Sequence, residues 1–385
     1  MNFAFLLSRS SLWMGGFNYF INTITYLKKQ ISNDQLILII CYEKNYQLCK
    51  NYFKNDQKIK LVNLGRISIF STLKRILKLV IFGDDGLISN ILHKFDCHTI
   101  FFNVDLIGKN VEQKKIFWLP DFQHKELPKN FSIPQIIFRN LSIKYLLNTS
   151  DRVVLSSDHA FSCLKKYYPE VDKQKVFINR FRVQKFISSS EKNSKEFLEL
   201  NKKIRNKKFF FYPMQLHTHK NHQLILDNIA KINKEFSKDC LLIFCGSGFD
   251  TNNHLYQRLL DKITSLELKE QVLILGKIST FELIFLYKKA FCVISASEYE
   301  GWSTVLEESR LYHVKRLIIS DITLHREQLN DLNKIQFFDL NKKFDLAKKM
   351  VNLINDFQSK HLVNHISYDN FYKDYENQIK KIFYD

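Results

Sequence analysis

Short, unbroken apolar runs recur along this chain, and helical stretches separate them. Residues 2–7, 35–42, 58–64, 98–104 and 152–156 read as strands that are apolar at successive positions. Such a strand hides both of its faces, which calls for a parallel sheet covered by helices on either side. The intervening segments 16–29 and 68–80 carry the apolar spacing of helices. A second series of strands follows at 209–212, 240–245, 271–275, 291–295 and 316–319. Between the two series apolar density falls over residues 184–208, around the polar run from Ser188 to Lys195. A chain of 385 residues suits two cores rather than one. The expected domains are therefore 1–185 and 207–360, joined by a linker at 186–206. In residues 361–385, Tyr375, Ile379 and Ile382 share a helical face with Phe371 and Tyr372, which predicts a terminal helix returning to the first domain. Both domains are expected to be α/β and Rossmann-like.

Lys and Arg number 58 against 39 Asp and Glu, a net charge of +19 that favours anionic partners. Nucleic acid is not expected, because no zinc finger, RRM or helix-turn-helix pattern is present. An anionic membrane surface is the better match, since Lys74, Arg75 and Lys78 punctuate the apolar segment 68–80. The competing reading of that segment is a helix facing the core. Seven cysteines without a C-x-x-C pair read as reduced thiols of a cytosolic protein. No uncharged run is long enough to span a bilayer, and the apolar start lacks the preceding basic residues of a signal peptide. The expected location is the cytoplasm, with peripheral attachment to the inner face of the cell membrane.

The residues with chemical promise cluster after the strand at 291–295. There Glu300 precedes a turn at Gly301, a helix is expected to begin near Ser303 and Thr304, and Glu308 follows more than one helical turn later. A helix start offers backbone N–H groups and a dipole that favour a diphosphate. Flanking carboxylates accept hydrogen bonds from hydroxyls, so the pair suits a sugar and a ribose. A turn cap and a solvated helix residue would give the same spacing, and so would an acid and base pair. Lys220, where a loop enters a helix after the strand at 209–212, can reach a phosphate. His217, His219 and His222 are close enough in sequence for a metal site, but no carboxylate or Cys ligand stands nearby, and no metal is expected. Gly246 and Gly248 after a strand, and Gly15 and Gly16 before a helix, allow backbone to approach a ligand closely.

Glu300, Gly301 and Glu308 resemble the E-x7-E signature of retaining glycosyltransferases of the GT-B fold, family 4, in which the pattern reads E-G-F-G-x-x-x-x-E. Trp302 stands where that family has Phe, and Ser303 where it has Gly. The stretch from Ile319 to Gln328 is similar to the segment after the donor helix, with Ser320 and Glu327 at the S-x6-E spacing. Gln215 and Lys220 are similar to the family's Arg-x4-Lys pair, except that Gln215 replaces the Arg and leaves Lys220 more of the charge compensation. The run from Pro120 to His124 resembles an acceptor-side P-D-x-Q-H loop.

The resemblance implies two Rossmann-like domains facing across a cleft. It implies that Glu300 and Glu308 hold donor sugar and ribose, and that Lys220, Gly16, Ser303 and Thr304 hold the diphosphate. Gly246 and Ile278 would meet the nucleotide, and Gly15, Asp121 and His124 the acceptor, with Glu300 and His124 as the catalytic candidates. No cofactor and no divalent metal are expected, since no D-x-D sequence occurs. The implied activity is retaining, hexosyltransferase-like transfer from a nucleotide-sugar to a hydroxyl of a glycan or lipid-linked acceptor, in synthesis of O-antigen, capsule or another cell-surface polysaccharide. The alternatives are a nucleotide-sugar epimerase or hydrolase on the same scaffold, and a non-catalytic basic module that binds membranes.

Overall fold

A computed structural model describes the chain except for residues 8–13, 55, 67, 85, 184–194, 237–239, 357–361, 364–367 and 385. It divides into two compact units, residues 1–182 with 369–385, and residues 183–368.

Unit 1 begins with β1 (Asn2–Leu7), α1 (Met14–Gln30), β2 (Ile37–Cys41), α2 (Glu43–Tyr52) and β3 (Ile59–Asn63). It continues through α3 (Ile69–Phe82), α4 (Leu87–Lys94), β4 (Cys97–Phe102), β5 (Lys114–Leu119), α5 (Gln123–Glu126), α6 (Ile133–Thr149), β6 (Arg152–Leu155), α7 (Asp158–Tyr167) and β7 (Val176–Ile178). The strands form one seven-stranded sheet in the order β3-β2-β1-β4-β5-β6-β7. Its pairings are parallel, with Phe3 opposite Ile37 in β2 and opposite Thr99 in β4. One face packs Ile88 and Leu92 of α4 and Ile143, Leu146 and Leu147 of α6 against the strand residues Leu6, Ile40, Phe102 and Phe117.

Unit 2 runs α8 (Lys195–Ile204), β8 (Lys208–Tyr212), α9 (His222–Lys231), α10 (Asn233–Phe236), β9 (Cys240–Cys245), α11 (His254–Ser265), β10 (Val272–Gly276) and α12 (Thr280–Lys289). Then come β11 (Cys292–Ser295), α13 (Thr304–Leu311), β12 (Leu317–Ser320), α14 (Thr323–Gln328), β13 (Gln336–Phe338) and α15 (Asp345–Ile354). Its six strands lie in the parallel order β10-β9-β8-β11-β12-β13. Local sequence sets several helix starts. Ser279 and Glu282 form a capping box at α12, each side chain bonding the other's backbone N–H. The last helix, α16 (Tyr368–Phe383), joins unit 1, where the Tyr375 ring meets Tyr26 edge to face and its hydroxyl lies 3.2 Å from Thr23 Oγ1.

Two expectations change. Residues 195–204, assigned by composition to the linker, form α8, whose Leu200 and Ile204 enter the unit 2 core while Phe197 packs edge to face on Phe281 and Phe285. Charged residues on the outer face of this amphipathic helix lower the local apolar density without breaking the helix. Three strands went unread. The apolar run of β5 sits between a Lys pair and a loop, while β7 and β13 are three-residue strands, too short for a period to show.

Candidate active site

In an open parallel sheet the strand order reverses at one point, and a crevice opens there beyond the carboxyl ends of the strands. In unit 2 that point lies between β8 and β11. The loop after β8 carries Lys220 and the loop after β11 carries Glu300, so topology brings together two residues 80 positions apart. Lys220 Nζ donates to Glu300 Oε1 at 2.5 Å, with the side chains 14% and 10% exposed. Ser297 Oγ donates to the same oxygen at 2.7 Å. Burial pushes the Glu300 carboxyl up, but the Lys220 charge and the two hydrogen bonds outweigh it and hold the group below its ordinary range.

The two loops are also tied through backbone. Glu298 N–H donates to the His219 carbonyl at 2.9 Å, Asn221 Nδ2 donates to the Ala296 carbonyl at 3.0 Å, and the buried Tyr212 hydroxyl donates to the Lys220 carbonyl. Asn221 adopts φ 56°, a left-handed conformation that Asn tolerates better than most side chains, and from it the chain enters α9.

Helix α13 begins at Thr304, with Ser303 as its cap residue. Its start differs from the sequence expectation in one respect: the Ser303 N–H is already taken, donating to Gln328 Oε1 at 3.1 Å. Gln328 Nε2 in turn donates to the Ser303 carbonyl at 2.8 Å and to Glu307 Oε1 at 2.9 Å. A backbone donor committed to a buried amide is not available to a phosphate. Thr304, at the first helical position and partly exposed, is the accessible residue of the two.

One turn further on, Tyr287 donates to Glu308 Oε2 at 2.6 Å. Burial raises the Glu308 carboxyl to about 7, an effect the Tyr287 bond only partly opposes. The two carboxylates of the pair therefore differ. Glu300 is held charged by a cation, and Glu308 is poised near neutrality.

Sequence reading missed Ser297, Tyr287 and Gln328. For Gln328 a signal existed, because Leu324, His325 and Gln328 form the buried face of α14 at helical spacing. His325 is fully buried, with Nδ1 2.9 Å from the Ser320 carbonyl, and burial lowers its pKa to about 4. The neighbouring Arg326 pairs with Asp321, at 2.5 and 2.7 Å.

Gly246 stands at φ 139°, and a Cβ there would lie 2.8 Å from the Met214 carbonyl oxygen. Its glycine is thus required by the neighbouring loop after β8, to which Ser247 is also joined by a 2.8 Å bond from Leu216 N–H. Ile278 follows edge strand β10 and packs against the unit 2 core. Gln215 is exposed. His217 and His219 approach within 2.8 Å through their Nδ1 atoms, whereas His222 is enclosed by Tyr212, Phe244 and Phe249. Burial lowers the His219 and His222 rings to about 3. Among the described residues no three His, Cys, Asp or Glu side chains come together as a metal site.

In unit 1, Gly15 and Gly16 lie within the first turn of α1 and not in a loop before it. Asp121 accepts from Gln123 N–H at 3.0 Å and shapes the turn into α5. His124 is buried in α5, with its ring enclosed by the fold. Burial, then the charges of Arg139 and Lys125, lower its pKa to about 4, so it is neutral at physiological pH.

Two Rossmann-like α/β units in one chain, each built on a parallel sheet, are the architecture of the GT-B fold, and the second presents a cation and two carboxylates at its sheet's carboxyl end. Residues 193–368, nearly all of unit 2, match the family model described as "Glycosyl transferases group 1". The whole chain shares its fold with solved structures. A glycosyltransferase from Rickettsia africae ESF-5 is 18% identical with TM-score 0.67, the match covering 99% of this chain and 94% of that one. Anabaena HepE in complex with UDP and glucose is 15% identical with TM-score 0.67, over 100% and 95% of the two chains. Sucrose-phosphate synthase from Thermosynechococcus elongatus is 12% identical with TM-score 0.68, over 99% and 94%. A search of curated proteins finds no match.

Proposed function

We propose that the protein transfers a hexosyl group from a nucleotide-sugar to a hydroxyl of a glycan or lipid-linked acceptor, with retention at the anomeric carbon, during synthesis of a cell-surface polysaccharide. The observation that carries this reading is the Lys220–Glu300 pair at the switch point of the unit 2 sheet. Lysine has three N–H donors. One is used on Glu300, and the others serve the donor diphosphate, where negative charge grows as the sugar–phosphate bond breaks.

Both hydrogen bonds to Glu300 among the described residues fall on Oε1, which leaves Oε2 to accept from a sugar hydroxyl. Glu308 serves the ribose, and Thr304 at the α13 start supports the phosphate. Gly16, in the first turn of α1, has the same relation to an anion, and Gly246 and Ile278 line the nucleotide. Glu300 is bound too firmly to its cation to serve readily as a covalent nucleophile. The acceptor therefore attacks the face that the phosphate leaves, and the departing phosphate oxygen takes the acceptor's proton. Such a reaction needs no metal. Gly15 and Asp121 remain the acceptor-side candidates, while neutral, buried His124 acts by supporting the turn that carries Asp121.

A panel of nucleotide-sugars, starting with UDP-glucose because HepE has been seen with it, tests the site by thermal shift. A donor should raise the melting temperature of the wild type and raise that of Glu308→Ala less, and equal shifts would remove Glu308 from the site. Incubation of the stabilising donor without acceptor should leave it largely intact. Rapid appearance of an isomer or of free sugar would replace this reading with the epimerase or the hydrolase.

A further inference from the structure

Helix α3 does not behave like the other helices of unit 1. It lies in the connection from β3 to β4, yet α4 already supplies the helix that packs on the sheet there. Among its described side chains none is buried. Phe70 is 80% exposed and Val80 76%, and Leu73, Leu77, Ile81 and Phe82 are exposed with them. A helix this short is marginal on its own in water and normally persists by packing an apolar face.

Helix geometry places these residues. At about 100° per residue, Leu73, Ile76, Leu77, Val80, Phe70 and Ile81 fall within one arc of roughly 140°. Lys74 and Lys78 border that arc. Arg75 lies on the far side, where its guanidinium donates to Tyr42 Oη at 3.1 Å and ties the helix to the body. Ser68 caps the start, and Gly83 closes the end at φ 69°. The helix is therefore well terminated and held by its polar side, with its apolar side turned out.

Helix α6 repeats the pattern. Its carboxyl half is buried through Ile143, Leu146 and Leu147, but Ile133, Ile137, Phe138 and Leu141 in its first half are exposed. The segment between β4 and β5 connects the two helices, since Asn110 donates to the Phe82 carbonyl and Tyr145 to the Ile107 carbonyl. Val104 in that segment is exposed as well. Neither helix contains an acidic residue, whereas together they hold Lys74, Arg75, Lys78, Arg139 and Lys144.

We infer that α3 and the first half of α6 form one docking surface that seats unit 1 on an anionic lipid bilayer. The charge pattern selects the occupant. Cations flanking an apolar arc meet acidic headgroups while the arc enters the acyl boundary, and a single protruding helix presents a ridge that suits a fluid surface. None of the residues on this surface has a place in the donor or acceptor site, so binding can be measured without any assumption about catalysis.

The test is flotation of the full chain with vesicles of phosphatidylcholine alone and of phosphatidylcholine mixed with phosphatidylglycerol. Wild type should float with the mixed vesicles, and bind less as salt rises. The double variant Lys74→Glu and Lys78→Glu should bind mixed vesicles about tenfold more weakly or worse. Leu73→Ser with Leu77→Ser and Val80→Ser should lose binding, and Ile137→Ser with Phe138→Ser and Leu141→Ser should weaken it independently. All these residues are exposed, so unchanged circular dichroism and melting would show that folding is intact. Wild type remaining soluble beside mixed vesicles would overturn the inference, as would variants that float like wild type. A dimer in light scattering that the α3 apolar variant dissociates, with no flotation, would assign the surface to a second copy of the chain instead.

Discussion

At the carboxyl end of the unit 2 sheet, Lys220, Glu300, Ser297 and Tyr212 hold one another through hydrogen bonds inside a nearly closed setting. On α3 and the first half of α6 in unit 1, large apolar side chains stand largely exposed to water. The first region is organised before any ligand arrives, and the second is incomplete until something covers it. A reacting group gains from donors and charges whose orientation is already fixed, because they need not reorganise as charge develops. A docking face gains from apolar area left uncovered, because its removal from water is the driving force for association. Burial thus separates the two roles more clearly than residue type does.

The sharpest way to break this contrast is to disturb the organised region. Glu300→Gln and Lys220→Met should each lower kcat about 100- to 1000-fold in steady-state transfer assays, the scale seen when one preorganised charge-stabilising group is lost. The double variant should lose little more, because the two residues act as a unit. Full additivity would show that they act separately.

The next effect reads the poise of Glu308 through pH. Its folded pKa, about 7, lies above the ordinary 4.5, so the folded chain binds a proton that the unfolded chain has released. The stability from this group is present below pH 4.5 and drains away as pH rises through 7. Against Glu308→Gln, wild type should lose roughly 2–3 kcal/mol between pH 5 and pH 8 in denaturant titrations. Parallel pH curves would mean that the carboxyl is not raised.

A smaller effect is expected where backbone supports the site. Gly246→Ala forces a side chain into φ 139° and against the Met214 carbonyl, and should cost about 1–3 kcal/mol in chemical denaturation. An unchanged midpoint would mean that the loop yields easily. Smallest of all, Leu77→Ser on α3 should change stability by less than about 0.5 kcal/mol, as exposed substitutions do. A loss above about 2 kcal/mol would show a packed core position and would end the contrast between the two regions.

Much of this layout is legible in one dimension. Continuous apolar runs such as Phe209 to Tyr212 and Cys240 to Cys245 announce buried parallel strands, because both faces of each strand must be covered. Residues close in sequence were also readable together: Glu300, Gly301 and the helix start at Thr304 span a few positions after β11. Reading failed where local composition and tertiary role diverge. Helix α8 looks like a linker because its outer face is charged, and β13 is too short for any period to show.

The sequence by itself determined two α/β units, the place of the loop–helix turn at Glu300 and the amphipathic arc of residues 68–80. Those depend on side-chain periodicity and on neighbours in the chain. Only the tertiary structure decided that Lys220 meets Glu300, that Gln328 occupies the Ser303 N–H and that the arc of α3 faces outward. Each of these depends on strand order and packing between distant segments, where burial sets which groups are charged, which are paired and which are left for a partner.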